Sequence, residues 1–213
     1  MRVALTFDAE HPDRDECPPG VQEGIVAFLE EQAINATFFM QGRWVQAYPA
    51  LARAIAGNGH LVGNHSFYHA RLPLLTDAGL VEDVRGAEQI ILELVGVDPR
   101  PWFRCPFGAG AYDDRVLGCL SSLGYRDFEF DVPSTVDGHV VVGDWHPGQT
   151  GASVARWVVD GILGHGDGAV VVLHSWPAAT LAALPEIVMR LRHAGASFVR
   201  LDEIGLAAEA VQS

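Results

Sequence analysis

The sequence predicts an α/β fold built on a parallel sheet, and three observations carry that prediction. Short apolar runs such as VALTF, ATFFM and AVVVLH recur along the chain without the polar alternation of a strand that has one wet face. Stretches with helical spacing of apolar residues lie between them. The chain has 213 residues, 49% of them hydrophobic, which is enough for one large core covered on both sides of a sheet. No repeat, low-complexity tract or long linker interrupts it, so residues 1–213 read as a single domain. With seven or eight strands, a closed barrel and an open doubly wound sheet both fit. Either one places its chemistry at the carboxyl ends of the strands.

Each element follows from the local pattern. VALTF (3–7) reads as a buried strand and precedes a helical stretch from about Val21 to Gln32. ATFFM (36–40) precedes residues 43–57, whose apolar positions keep helical spacing and stop at Gly57. HLVGN (60–64) precedes a long amphipathic helix over 76–95, opened by Thr76 and Asp77, residue types suited to an N-cap and a first turn. WFRCPF (102–107) leads to a helix over 111–123 ended by Gly124. YRDFEF (125–130) and VVVG (140–143) read as strands before a helix over 152–163. AVVVLH (169–174) precedes a helix over 180–193, and SFVRL (197–201) precedes a last helix.

Bulk charge narrows the partners. The formal net charge is −13, which argues against a nucleic-acid backbone or an anionic membrane surface, since both need a positive footprint. Neutral, cationic or metal-bridged ligands suit it better. No apolar run approaches the ~18 residues of a membrane span, and strand-like VALTF follows Met1 and Arg2 directly, with no signal-peptide pattern. A cytoplasmic protein is the expectation. Three cysteines (Cys17, Cys105, Cys119), an odd and sparse count, fit free thiols.

The strand ends hold the chemistry. Asp8 and Glu10, then His65 and His69, then Arg104, Asp144 and His174 stand at five separate strand exits, while the strand interiors are nearly free of ionisable groups. Carboxylates are costly to bury unless they are paired or bound to a cation. In HSFYH (65–69) two imidazoles stand four residues apart, a spacing that on a helical turn lets both grip one ion. Ser66 stands where a zinc protease of the HExxH type carries its glutamate base, so a base must come from elsewhere. Along an extended segment residues i and i+2 share a side. Asp8 and Glu10 can therefore face one cavity, one as metal ligand and the other as base, with Ala9 turned away.

In order and rough spacing, LTFDAE, TFFMQGRW…GHLVGNHSFYH, RCPFG, DW and VVVLHSW resemble the five motifs of the polysaccharide deacetylases, carbohydrate esterase family 4. The resemblance runs from residue 3 to about 203. It implies a distorted (β/α)7–8 barrel and metal-dependent removal of an acetyl group from an N-acetylated amino sugar. It assigns Asp8 as base, His65 and His69 as metal ligands, and Arg104 as the group that orients the base. The Phe107 backbone N–H would hold the oxyanion. His174 becomes the general acid and Asp144 its orienting carboxylate, while Trp145 and Leu173 shape the acetyl and sugar pocket. The family's usual first motif has adjacent aspartates, and here the second position is Ala9. A variant spaced one residue apart matches Asp8-Ala9-Glu10 and gives Glu10 to the metal, with His11 and Asp8 as alternatives. Asp131 and Asp137 compete with Asp144 in the fourth motif.

Zinc is the cofactor expected of two histidines and a carboxylate, and cobalt or nickel are the alternatives. The expected partner is a carbohydrate, with a small-molecule amide as the alternative substrate; neither nucleic acid nor membrane is expected, and the oligomeric state stays open. Ala9 also leaves room for a third reading, a catalytically inactive carbohydrate-binding relative.

Overall fold

The computed structural model describes residues 1–10, 17–129, 135–136, 139–140 and 143–204. In chain order the elements are β1 (Arg2–Ala9), α1 (Val21–Glu31), β2 (Thr37–Met40), α2 (Gly42–Ala47), α3 (Pro49–Gly57), β3 (Leu61–Asn64), α4 (Asp77–Leu94), β4 (Trp102–Phe103), α5 (Asp114–Ser122) and β5 (Arg126–Asp127). There follow β6 (Thr135–Val136), β7 (His139–Val140), α6 (Gly151–His165), β8 (Ala169–His174), α7 (Ala178–His193) and β9 (Ser197–Phe198). Single 3-10 turns cover Leu72–Leu74, Pro106–Gly108 and Leu201–Glu203.

Contacts group the chain into two compact units, and β1 and β2 each begin in the first and end in the second. The first unit holds Met1–Phe7, Arg14–Thr37 and Phe130–Ser213. In it β1 pairs with β8 and, in parallel, with β9, with Arg2 opposite Ser197. Val3, Leu5 and Phe7 are fully buried, as are Ala169, Val171 and Leu173 of β8. Thr6 is tolerated among them because its hydroxyl donates to the Val171 carbonyl at 2.7 Å. Helices α6 and α7 pack closely enough that a Cβ on Gly151 would lie 2.8 Å from the Ala182 backbone.

The second unit holds Asp8–Asp13 and Phe38–Glu129. Here β2, β3, β4 and β5 lie side by side, and the β3–β4 and β4–β5 pairs are parallel. Phe38 and Phe39 point to opposite faces of β2 and both are fully buried, as a two-sided parallel sheet requires. Phe39 lies under the Arg104 guanidinium at 4.1 Å, and Phe38 meets the His60 ring edge-on at 5.2 Å. A side chain on Gly63 would collide with Phe39 at 2.6 Å, so only glycine lets β3 sit against that ring.

Several boundaries differ from the sequence reading. The helix expected over 43–57 is two helices, because Pro49 has no N–H to continue the first and instead opens the second. Among the described residues WFRCPF forms strand only at Trp102–Phe103, and YRDFEF only at Arg126–Asp127. The helix expected from 111 starts at Asp114, where the Asp113 side chain accepts from the Arg115 and Val116 N–H groups. Thr76 caps α4 through the Gly79 N–H, as its residue type suggests. The antiparallel pairing of β6 with β7 was not foreseen. The predicted VVVG strand reaches into residues 141–142, and the last helix into 205–213, both outside the described residues.

Candidate active site

Two groups of ionisable side chains form, one in each unit. In the second unit, Glu10, His65 and His69 bring one ligand atom each to within 4.8 Å of one another, and all three residues are buried. The Glu10 Oε2 stands 3.3 Å from His65 Nε2 and touches His69 Nε2. Asp8 approaches the same imidazole from a second side, with Oδ2 3.7 Å from His65 Nε2. Its Oδ1 accepts from Arg104 Nη1 at 2.8 Å. Arg104 is fixed in turn, since Nε donates to the Phe128 carbonyl at 3.1 Å and Phe39 stacks beneath it.

Backbone geometry sets the tautomer of His65. Its Nδ1 lies 2.9 Å from the Arg104 carbonyl, which only accepts, so Nδ1 carries the hydrogen and Nε2 presents a lone pair to the cavity. Burial opposes charging this ring, but the charges of Asp8 and Glu10 and the Arg104 carbonyl outweigh it, and its pKa stands above the ordinary value. Buried carboxylates drawn around imidazole lone pairs form a donor set that fits a divalent cation.

The two histidines do not sit on a helix, as their spacing had suggested. Ser66 and His69 both adopt left-handed backbone, with φ of 63° and 58°, and so does Phe107 at 60°. Such conformations cost about 1–3 kcal/mol each in non-glycine residues, and they persist only where neighbours impose them. Asn64 imposes the first, its Oδ1 accepting from the Ser66 N–H at 2.8 Å. Ser66 Oγ accepts from the His69 N–H at 2.9 Å, and Asp83 Oδ1 accepts from the Tyr68 N–H at 2.9 Å. Asn64 is held by its donor bonds to the Val84 carbonyl and the Tyr125 hydroxyl. Burial pushes the Asp83 carboxyl above the usual range, against the pull of the Tyr68 and Phe67 N–H groups and the Ser66 hydroxyl.

In the first unit, His174 Nδ1 is 2.7 Å from Asp144 Oδ1. Asp144 also accepts from the His174 N–H at 2.6 Å and from Thr180 Oγ1 at 2.5 Å. This buried carboxylate is saturated by donors, and it fixes the imidazole with Nε2 as the ring atom opposite the pair. Leu173 is fully buried beside it in β8, and Trp145 is half-exposed. Phe107, in the second unit, is also half-exposed. Candidates His11, Asp131 and Asp137 lie outside the described residues.

Sequence reasoning missed Asn64, Asp83, Asp127 and Glu129. Asp83 had a visible signal, since it falls on the apolar stripe of α4 with Leu80, Val84, Ala87 and Ile91. Asp127 and Glu129 repeat the i, i+2 pattern of Asp8 and Glu10. Asp127 Oδ1 accepts from the Cys105 N–H at 2.8 Å, and burial together with Asp127 raises the Glu129 carboxyl to about 7. Burial pushes the Cys105 thiol far up, so it is a packing residue and not a nucleophile. All three cysteines are free.

A buried group of three side chains able to hold a metal ion, with an arginine-held carboxylate beside it, is the class of site the second unit carries. The polysaccharide deacetylase family model matches residues 1–128, and the chain belongs to that family. It is 28% identical over 204 residues to a peptidoglycan-N-acetylglucosamine deacetylase of Bacillus cereus, covering 93% of this chain and 66% of that protein. A family 4 carbohydrate esterase from Streptomyces lividans, solved with acetate, shares 28% identity at a TM-score of 0.76, covering 92% of this chain and 90% of that one. A family 4 pseudoenzyme from Bacillus anthracis superposes at a TM-score of 0.79 with 22% identity, over 95% of this chain and 64% of that one. These likenesses establish the (β/α)-barrel fold class of the family. Among the described residues no helix is long and apolar enough to cross a membrane.

Proposed function

We propose that residues 1–213 act as one catalytic domain, a metal-dependent hydrolase that removes acetyl from an N-acetylated amino sugar. The observation that carries this reading is the separation of duties between the two acids at the end of β1. Glu10 closes on both imidazoles, while Asp8 is held back by Arg104. Glu10, His65 and His69 would hold the ion, and zinc suits that donor set. A divalent ion there supplies Lewis acidity, lowering the pKa of water and polarising the amide carbonyl.

The chain's own groups do the rest. Asp8 takes the proton of the attacking water, and Arg104 keeps that carboxylate oriented and ionised. The Phe107 N–H stabilises the oxyanion that develops on the carbonyl oxygen. As the C–N bond breaks, His174 gives its proton to the departing nitrogen, with Asp144 supporting the charged imidazole. Acetate and a free amine result. Trp145 and Leu173 line the acetyl and sugar contacts. The same residues argue against the inactive carbohydrate-binding reading, because Glu10 fills the role that Ala9 left open.

The test is acetate release from chitooligosaccharides and peptidoglycan fragments by the zinc-loaded or cobalt-loaded protein, with a chelator control. Chelator-sensitive release supports the reading. No release from any of these substrates, with metal stoichiometrically bound, defeats it.

A further inference from the structure

We propose that Arg71 and Phe107 form a subsite for an anionic group, a carboxylate or phosphate carried near the acetamide that is hydrolysed. The proposal rests on the deacetylase reading and names its substrate class. Arg71 lies two residues beyond His69 and is exposed. Its guanidinium carbon stands 4.5 Å from the Phe107 ring centroid. The same ring meets His69 edge-on, with centroids 4.4 Å apart. One aromatic ring thus contacts both a permanent cation and an imidazole of the proposed metal site. That ring is set by the left-handed turn at Phe107 and is 56% exposed.

Several other arginines are neutralised by an acid. Arg2 pairs with Asp167, Arg100 with Asp98, Arg115 with Asp77 and Arg200 with Asp202, each at 2.8 Å. Among the described residues Arg71 has no acidic partner, although acids outnumber bases 27 to 14 in the chain. It rests instead on an aromatic face, a contact that leaves the N–H groups of a guanidinium available to a ligand. Those groups match a carboxylate or phosphate through two parallel hydrogen bonds. The net charge of −13 does not forbid such a ligand, because exposed charges are screened beyond about 8 Å at physiological salt and the nearest cation decides.

Three probes and one variant test this. Chitotetraose is the neutral probe, a tetrasaccharide alternating N-acetylglucosamine and N-acetylmuramic acid carries a carboxylate, and UDP-N-acetylglucosamine carries phosphate. With zinc-loaded protein, kcat/KM should favour one of the anionic probes over chitotetraose, and the favoured probe identifies the source of the anion. Arg71→Gln should lower the anionic-to-neutral ratio about tenfold, Arg71→Lys should restore part of it, and added salt should shrink it in the wild type only. An unchanged ratio in Arg71→Gln overturns the subsite. If no probe is hydrolysed at all, the deacetylase reading fails. Calorimetric binding of the carboxylate-bearing probe to wild type and Arg71→Gln then still decides the subsite, because equal affinities reject it and weaker binding by the variant supports it.

Discussion

The Glu10–His65–His69 cluster and the Asp144–His174 pair are both buried acid–imidazole groups, yet they are built in opposite ways. Asp144 meets three donors, from the His174 ring, the His174 backbone and Thr180, and its charge is answered by the protein alone. In the other cluster two carboxylates approach His65, and among the described residues Arg104 donates to Asp8. A satisfied pair holds a proton in a fixed place. An acid-rich cluster around lone-pair nitrogens suits a cation. The proposed duties of binding and proton transfer thus fall to different architectures, and the difference can be broken one residue at a time.

The largest effect should come from His65→Ala. Removing one of three ligands should abolish stoichiometric zinc, measured by elemental analysis, and lower acetate release by at least ~10³. The wild type should gain thermal stability on zinc addition, through binding to the native state alone, and the variant should not. Asp8→Asn sharpens the contrast within the same cluster. Its amide leaves Glu10, His65 and His69 in place, so zinc content should stay near one per chain while turnover falls by about 10²–10⁴, the usual worth of a positioned base. Near-normal turnover in Asp8→Asn would show that another group is the base.

How far this cluster was legible in the sequence depends on which residues made it. The i, i+2 rule anticipated that Asp8 and Glu10, at the end of β1, both reach His65, and strand-end reasoning picked out both histidines and Arg104, which the second unit gathers around those acids, and His174, which pairs with Asp144 in the first unit. The local shape of HSFYH was not legible. Helical spacing was the natural reading, but the turn is irregular and held by Asn64, Ser66 and Asp83, whose side-chain bonds to backbone arise only after folding. Boundaries of the short strands β4 and β5 were missed for a related reason, since apolar runs continue past the last ladder bond into loops that the core still buries. The break at Tyr48 was overlooked although Pro49 signals it, since the helical spacing of apolar residues continues across it.

The Asp144–His174 pair should respond differently. Asp144→Asn keeps the size of the side chain but removes the charge that supports an imidazolium. Turnover should fall about 10²-fold with zinc content unchanged, and the loss should fall chiefly on kcat, because the proton is needed only as the amine departs. Loss of zinc in this variant would show that the two groups act as one functional unit.

The smallest effect concerns a buried imidazole with neither architecture. His60 packs edge-on against Phe38, and burial lowers its pKa from 6.5 to about 4. Its unfolded form therefore binds a proton that the folded form refuses at pH values between those two limits. Stability from this residue is intact above pH 6.5 and is lost as pH falls toward 4, by roughly 3 kcal/mol in all. Denaturant unfolding of the wild type and His60→Leu, both in chelator so that metal loss does not contribute, should show a steeper decline in the wild type over that window. Parallel curves would mean that His60 is already charged or hydrated in the folded protein. His65, equally buried but surrounded by carboxylates, is shifted the other way, so burial alone does not decide the charge of an imidazole in this core; the acids gathered around it do.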